Sequence, residues 1–94
     1  MRDYGWRWRR ARDAYVRAHP LCVACLATGR AVAARVVDHV VPHEGDDALL
    51  WAERNWQSLC HACHNAKTTR QAREGLDERE QALQRALGAL PPEG

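Results

Sequence analysis

The sequence contains no phenylalanine, and aromatic residues make up only 6% of its 94 positions. Four tryptophans, two tyrosines and small aliphatic residues must therefore supply the apolar core. A chain of this length buries a small core, which by itself contributes only a few kcal/mol to folding. We therefore expect a single small domain that a bound metal ion helps to stabilise.

Long apolar segments are also absent. No stretch approaches the roughly 18 consecutive apolar residues that cross a bilayer, and the N-terminal MRDYGWRWRR lacks the apolar segment of a secretory signal. These absences predict a cytoplasmic protein that does not contact a membrane. In a reducing compartment, four cysteines in two CxxC pairs are more often metal ligands than disulfides.

Basic residues are scarce in the C-terminal part of the chain. Residues 1–73 hold 12 Lys or Arg against 7 Asp or Glu, whereas residues 74–94 hold 2 against 5. The first segment is the part that would attract a polyanion such as nucleic acid. We predict that five side chains contact phosphates: Arg7, Arg9, Arg10, Lys67 and Arg70. The alternative is that these cations only keep helix faces soluble.

The spacing of apolar residues predicts a helix over 6–20, entered as much as one turn earlier, that ends at His19-Pro20. The valine-rich segment 31–42 predicts a strand that ends near Pro42. We place a second strand at 56–59, although the whole segment 48–59 fits a short helix or a loop and strand equally well.

Two helices are predicted to follow. Residues 60–73 contain no glycine or proline, and Gly75 is the first helix breaker. Beyond it, a leucine stripe predicts an amphipathic helix that docks on the body of the protein; its members are Leu76, Leu83, Leu87 and Leu90. We accordingly divide the chain into a domain at 1–75 and an acidic helix and tail at 76–94.

The cysteines form two pairs of identical spacing, Cys22-x2-Cys25 and Cys60-x2-Cys63, with 34 residues between the pairs. Four thiolates at this spacing indicate a tetrahedral zinc site. Such a site has no open coordination position, so the predicted role of this zinc is structural. The alternatives are a redox CxxC motif or four buried apolar cysteines.

A second group of polar residues is independent of the thiolates. On a helix, Cys63 and His64 project about 100° apart, so His64 can face a different wall from the zinc. Asp38-His39 offers a carboxylate for a metal ion and an imidazole that titrates near neutrality, the two groups needed to activate water. Neighbouring residues of a strand point to opposite faces, so both can serve one reaction only where the strand ends or bulges.

Two further motifs accompany the CxxC pairs: DHVVP lies between them, and NWQSLCHACHNAKT contains the second pair. With these motifs, residues 20–69 resemble the HNH endonucleases, specifically the small phage-encoded group with a four-cysteine zinc site. The resemblance implies an α+β fold: a zinc-stabilised, treble-clef-like ββα-metal core, here flanked by N- and C-terminal helices. It also implies that a β-hairpin and a helix grip one divalent cation in the groove of DNA.

The resemblance further assigns roles to four residues. His39 is the expected general base, and Asp38 and His64 are the expected ligands of a catalytic Mg²⁺, Mn²⁺, Ni²⁺ or similar ion. Asn55 is expected to shape the loop and orient the imidazole of His39. The implied reaction hydrolyses DNA phosphodiester bonds and leaves a 5′ phosphate and a 3′ hydroxyl.

A phage-type nuclease implies the host cytoplasm, a role in genome packaging and a phage terminase or portal protein as partner. We expect a monomer or weak dimer. The competing hypothesis is a four-cysteine zinc module that binds nucleic acid without chemistry, but such a module does not need the four polar residues together. His43 is interpreted as a turn residue, with a direct catalytic role as the alternative, and His61 as a surface residue or phosphate contact.

Overall fold

The computed structural model describes residues 4–88. In this part of the chain the helices and strands follow in the order α1 (Tyr4–Ala18), α2 (Val23–Leu26), β1 (Val36–His39), α3 (Asp47–Trp51), β2 (Trp56–Leu59), α4 (His61–Glu74) and α5 (Glu78–Gly88). A 3-10 turn at Glu53–Asn55 joins α3 to β2. The fold is the small α+β arrangement that the sequence predicts. Within residues 4–88, no helix has the length and apolar character needed to cross a membrane.

Most predicted elements are present with small shifts at their ends. The N-terminal helix does begin a little before residue 6, and the second strand occupies the predicted positions. Segment 48–59, which fitted two structures equally well, contains both a short helix and a strand. The valine-rich segment forms a strand of only four residues. Leu90 and the predicted tail at 89–94 lie outside the described residues.

The two strands form an antiparallel hairpin whose faces have different environments. The register pairs Val37 with Ser58 and His39 with Trp56, and the residues between them pair Asp38 with Gln57. Because side chains alternate along a strand, His39 and Trp56 lie on one face and Asp38 and Gln57 on the other. The hairpin therefore presents its imidazole and its carboxylate to two different neighbours.

Helix α1 covers the face that carries His39. Its Tyr15 hydroxyl donates a hydrogen bond to the backbone oxygen of Trp56 at 3.2 Å, and the Tyr15 and Trp56 rings meet edge to face with centroids 5.5 Å apart. Trp8, two turns earlier, meets Trp56 in the same way at 5.1 Å. The spacing of seven residues places both aromatic rings of α1 on one side of the helix.

The opposite face of the hairpin packs on the cysteines and on α4. Leu59 forms a buried cluster with Cys22 and Cys25, against which Val32 and Val36 pack. The first turn of α4 follows β2 directly, so Cys60 and Cys63 meet the same cluster. A small apolar core is thus continuous with the sulfur atoms, as expected for a domain with few large side chains.

Helix α5 turns back onto the body after Gly75, whose φ of +76° is a backbone conformation that suits glycine. A reciprocal capping pair begins the helix: the Asp77 backbone N–H donates to Glu80, and the Glu80 backbone N–H donates to the side chain of Asp77. The buried Glu80 also binds Arg70 of α4. Burial raises the pKa of Glu80, but the Asp77 N–H and the Arg70 guanidinium outweigh burial and lower it.

The division of the chain at residue 75 stays a prediction.

Candidate metal centres and active site

The four cysteine sulfurs converge at one point. Each ligand atom lies within 4.8 Å of the other three, and Sγ of Cys25 is 3.9 Å from that of Cys60 and 3.7 Å from that of Cys63. Zinc–sulfur bonds of about 2.3 Å in a tetrahedron place the sulfurs roughly 3.8 Å apart. The donor atoms and their spacing therefore fit a structural zinc ion.

The protonation of the thiols reflects this crowding. Burial raises the pKa of Cys22, but hydrogen bonds from the Cys60 and Cys25 backbones and from neighbouring thiols outweigh it and lower that pKa to about 6. Hydrogen bonds with the sulfurs of Cys60, Cys22 and Cys25 raise the pKa of Cys63 to about 12. A divalent cation favours the thiolate at every position, so its binding would release protons.

The second polar group lies on the hairpin face toward α4. Nε2 of His64 is 3.4 Å from Oδ1 of Asp38. The other carboxylate oxygen, Oδ2, accepts a hydrogen bond from Gln57 at 3.0 Å and forms an ion pair with Lys67 at 2.8 Å. One carboxylate oxygen is thereby tethered and the other faces the imidazole. A nitrogen and an oxygen at this separation can ligate one divalent cation.

His39 is fixed by a backbone contact. Its Nε2 lies 3.0 Å from the carbonyl oxygen of Leu50. Burial lowers the pKa of His39 below its usual 6.5; the Leu50 carbonyl opposes this shift, and the nearby His43 and Lys67 add to it. The imidazole is therefore neutral, with a free basic nitrogen, over a wider pH range than an exposed histidine.

Asn55 is fully buried and organises the loop behind His39. Its side chain accepts from the Val41 backbone N–H at 2.9 Å and donates to the carbonyls of Val41 and Leu49 at 2.9 and 3.0 Å. The amide does not contact the imidazole of His39 directly. It holds Leu49, and the adjacent Leu50 supplies the carbonyl that His39 binds, so any orientation of the imidazole by Asn55 is indirect.

An aromatic group covers the other side of His39. The Trp8 ring stacks on the imidazole with centroids 4.9 Å apart and planes 27° apart. Trp51 meets Trp8 edge to face at 6.1 Å, and Trp56 Nε1 donates to the same Leu50 carbonyl at 2.8 Å. Trp8 is half-buried, and its imidazole partner could not be read from the sequence.

Asp38 and His39 open on one cavity although they occupy opposite faces of the hairpin. Strand β1 ends at His39, where alternation no longer separates the two environments. The cavity measures about 370 Å³, and its lining includes Asp38, His39, His43, Lys67 and Thr68. His64 reaches this region through its contact with Asp38, whereas His61 is exposed.

The residues predicted to contact DNA have two kinds of environment. Arg7, Arg9 and Arg10 are exposed on α1, with Arg7 lying 5.3 Å from the Trp51 ring centroid. Lys67 instead donates to the backbone oxygen of His39 at 2.7 Å and pairs with Asp38. Arg70 pairs with Glu80. Phosphate contacts by these five residues stay predictions.

The sequence analysis did not identify Gln57 and Leu50 as residues of the site. Gln57 orients Asp38, and a signal for it existed, because the predicted strands need only the register Asp38↔Gln57 to bring the two together. The Leu50 carbonyl had no sequence signal, because any residue carries a backbone oxygen.

Comparison with known proteins adds independent evidence. The sequence model of the HNH endonuclease family matches residues 22–70, which contain both CxxC pairs and all four residues of the predicted active site. The crystal structure of the HNH endonuclease of the deep-sea thermophilic bacteriophage GVE2, which holds a manganese ion, is similar with a TM-score of 0.64 and 39% sequence identity. The match covers 70% of this chain and 73% of that one. No curated protein matches the chain significantly. The match to the family model and the 39% sequence identity with the phage enzyme together show that the chain belongs to the HNH endonuclease family.

Proposed function

We propose that the protein is a metal-dependent DNA endonuclease in which His39 is the general base and Asp38 and His64 hold the catalytic divalent cation. The observation that carries this proposal is the 3.4 Å contact of Asp38 Oδ1 with His64 Nε2, beside a cavity that His39 also lines. The four cysteines are separate from this site, and a zinc ion that they hold would have a structural role, because four thiolates saturate a tetrahedral zinc.

The tautomer of His39 follows from its partner. A carbonyl oxygen only accepts hydrogen bonds, so Nε2 carries the hydrogen and the lone pair of the neutral ring is on Nδ1. In the proposed reaction, Nδ1 takes a proton from a water molecule as the water oxygen bonds to phosphorus. The bond from phosphorus to the 3′ oxygen breaks, and the leaving oxygen takes a proton from solvent. The products are a 5′ phosphate and a 3′ hydroxyl.

The surrounding residues stabilise the charges that this step creates. The Leu50 carbonyl keeps its hydrogen bond to the imidazolium, and the Trp8 face favours the positive ring. Lys67 and Gln57 both bind Oδ2 of Asp38, which leaves Oδ1 as the oxygen that can ligate the cation. Asp38 and His64 would hold a divalent cation, which would supply Lewis-acid stabilisation of the phosphate and the leaving oxygen.

DNA is the proposed substrate because the helix that packs on His39 also carries exposed arginines. Arg7 and Arg9 project about 100° to either side of Trp8 on the helix, and Trp8 lies on His39. Guanidinium groups there can hold the phosphates on either side of the cut and give little sequence preference. The similarity to a bacteriophage enzyme supports phage DNA as the substrate. We extend the proposal to a role in packaging, with a terminase or portal protein as partner and the host cytoplasm as location.

The test uses zinc-loaded protein and supercoiled plasmid, with Mg²⁺, Mn²⁺ or Ni²⁺ added or withheld. We expect nicked or linear plasmid only with an added cation, and nicks that DNA ligase seals, because sealing needs a 5′ phosphate and a 3′ hydroxyl. Asp38→Asn is the matched inactive control. A folded, DNA-binding protein that cuts with none of the cations would instead be a non-catalytic zinc module.

The pH dependence of cleavage provides a separate prediction. The base must be neutral, so kcat/KM falls as the pH drops through the pKa of His39. Since burial lowers that pKa, the acid limb should lie below pH 6.5, the value for an unperturbed histidine. Cleavage of a labelled duplex from pH 4.5 to 8 measures it, and tryptophan fluorescence over the same range checks that zinc and fold are retained. An acid limb above the ordinary histidine value would contradict the buried base.

Trp8 is predicted to contribute through its stacking on His39. Trp8→Leu keeps an apolar side chain but removes the aromatic face, so kcat should fall by roughly 2- to 10-fold, equivalent to about 0.5–1.5 kcal/mol. Trp8→Tyr should recover part of the loss. The matched control is Trp6→Leu on the same helix, because Trp6 is 50% exposed. Equal losses for the Trp6 and Trp8 variants would show that only the helix, and not the stack, matters.

A further inference from the structure

His43 belongs to a strained turn at the mouth of the cavity. The Asp46 backbone N–H donates to the His43 carbonyl at 2.8 Å, and the two residues between them both have positive φ, 48° at Glu44 and 87° at Gly45. Glycine adopts this conformation freely, but a glutamate there costs about 1 kcal/mol or more. One contact that helps to hold this turn is made by the His43 side chain.

That contact fixes the His43 ring. The Gly45 backbone N–H donates to Nδ1 of His43 at 3.0 Å. A nitrogen that accepts a hydrogen bond carries no hydrogen, so the hydrogen of the neutral ring is on Nε2. Among residues 4–88, no acceptor is hydrogen-bonded to that Nε2–H. The turn thus holds an imidazole whose one free polar group is a donor.

The His43 ring lies beside the proposed general base. The rings of His43 and His39 meet edge to face with centroids 4.9 Å apart, and both line the cavity that Asp38 and Lys67 also line. In the proposed reaction a single water molecule bridges His39 and the phosphate under attack, so a ring that lies 4.9 Å from His39 can reach that phosphate. Phosphate oxygens accept hydrogen bonds from neutral N–H groups, so no change in the protonation of His43 is required.

We propose that His43 is a further catalytic residue, which donates a hydrogen bond from Nε2 to a non-bridging oxygen of the scissile phosphate, an assignment that rests on the proposed nuclease function. The donor is fixed before substrate arrives, so it stabilises the charge that builds up on the phosphate without reorganising. Glu44 and Gly45 have a positioning role, because they present the backbone N–H that sets the ring.

Two substitutions that each replace one ring nitrogen of His43 separate its role in the turn from its contact with the substrate. In His43→Asn the amide oxygen replaces Nδ1 as acceptor for Gly45 but the distal donor is lost. In His43→Gln the amide nitrogen replaces the Nε2 donor. We expect kcat on a labelled duplex to fall by about 10- to 100-fold in His43→Asn, with unchanged zinc content and thermal midpoint, and His43→Gln to be several-fold more active.

A sulfur-substituted substrate adds a readout that a structural role would not move. Replacing one non-bridging oxygen of the scissile phosphate by sulfur weakens a hydrogen bond at that position. For one diastereomer, the penalty should therefore be smaller in His43→Asn than in the wild type, because the bond is already missing. His43→Asn within twofold of wild type, His43→Gln no more active than His43→Asn, or equal sulfur penalties in both proteins would overturn the assignment. Wild-type protein that cuts no DNA with any cation would overturn the nuclease function and this assignment together, whereas an active wild type with these results would overturn His43 alone.

Discussion

Replacing His39 with alanine should reduce DNA cleavage by about 10²- to 10⁴-fold, the usual contribution of a general base, while DNA affinity changes little. The His39 imidazole lines the cavity, its Nε2 is hydrogen-bonded to the Leu50 carbonyl, and one face of the ring stacks on Trp8. Its removal deletes the acceptor for the water proton but leaves the exposed arginines of α1 in place. Single-turnover cleavage and fluorescence anisotropy with a labelled duplex measure the two quantities separately.

His61→Ala provides the matched control for that experiment. His61 is an exposed histidine at the start of α4, so the variant loses an imidazole of the same chemistry outside the cavity. We expect near wild-type cleavage from it. Free imidazole added to His39→Ala should restore part of the rate, since the vacated space adjoins solvent through the cavity. Equal activity of the His39 and His61 variants would remove His39 from the mechanism.

Stripping the sulfur-bound ion should unfold the domain. Binding of a structural zinc contributes about 10–16 kcal/mol in small zinc domains, whereas small proteins are stable by only about 5–15 kcal/mol in total. The cysteines supply much of the buried cluster here, so the folded state without an ion would place crowded thiolates or protonated thiols beside Leu59. A strong zinc chelator should therefore abolish helical circular dichroism and shift the emission of the four tryptophans.

The control for zinc loss is the other ion. Withholding Mg²⁺ or Mn²⁺ from zinc-loaded protein should leave the circular dichroism unchanged and only stop cleavage. Cys60→Ser should reproduce the effect of the chelator, whereas Asp38→Asn should not. Zinc-free protein with an intact spectrum and an unchanged thermal midpoint would show that the cysteines do not depend on metal for folding.

The elements of this fold were largely predictable because each depends on local spacing. The seven-residue interval from Trp8 to Tyr15 marks one helix face, and the absence of breakers before Gly75 marks α4. The convergence of the cysteines was predictable for another reason: a tetrahedral metal site takes four thiolates, and the chain has four cysteines in two pairs of identical spacing. The structure confirms their convergence, and zinc as the bound ion stays a prediction.

The contacts that refine the site could not be predicted from local patterns. Trp8 is brought to His39, and Lys67 to the His39 carbonyl, by tertiary packing across long stretches of chain. Arg70 illustrates the difficulty, because its charge suggested DNA, yet Glu80 reaches it once the chain reverses at Gly75. A charge on a helix face identifies a partner only when the neighbouring element is known.

The central claim is that two ions bind at two different sites with separate duties. It is tested most directly by titrating Mn²⁺ into zinc-loaded protein, with calorimetry for stoichiometry and elemental analysis for retained zinc, in wild type and in the double variant Asp38→Asn/His64→Ala. We predict one Mn²⁺ per wild-type chain, none in the double variant, and one zinc in both. Equal manganese binding by the two proteins, or loss of zinc from the double variant, would contradict it.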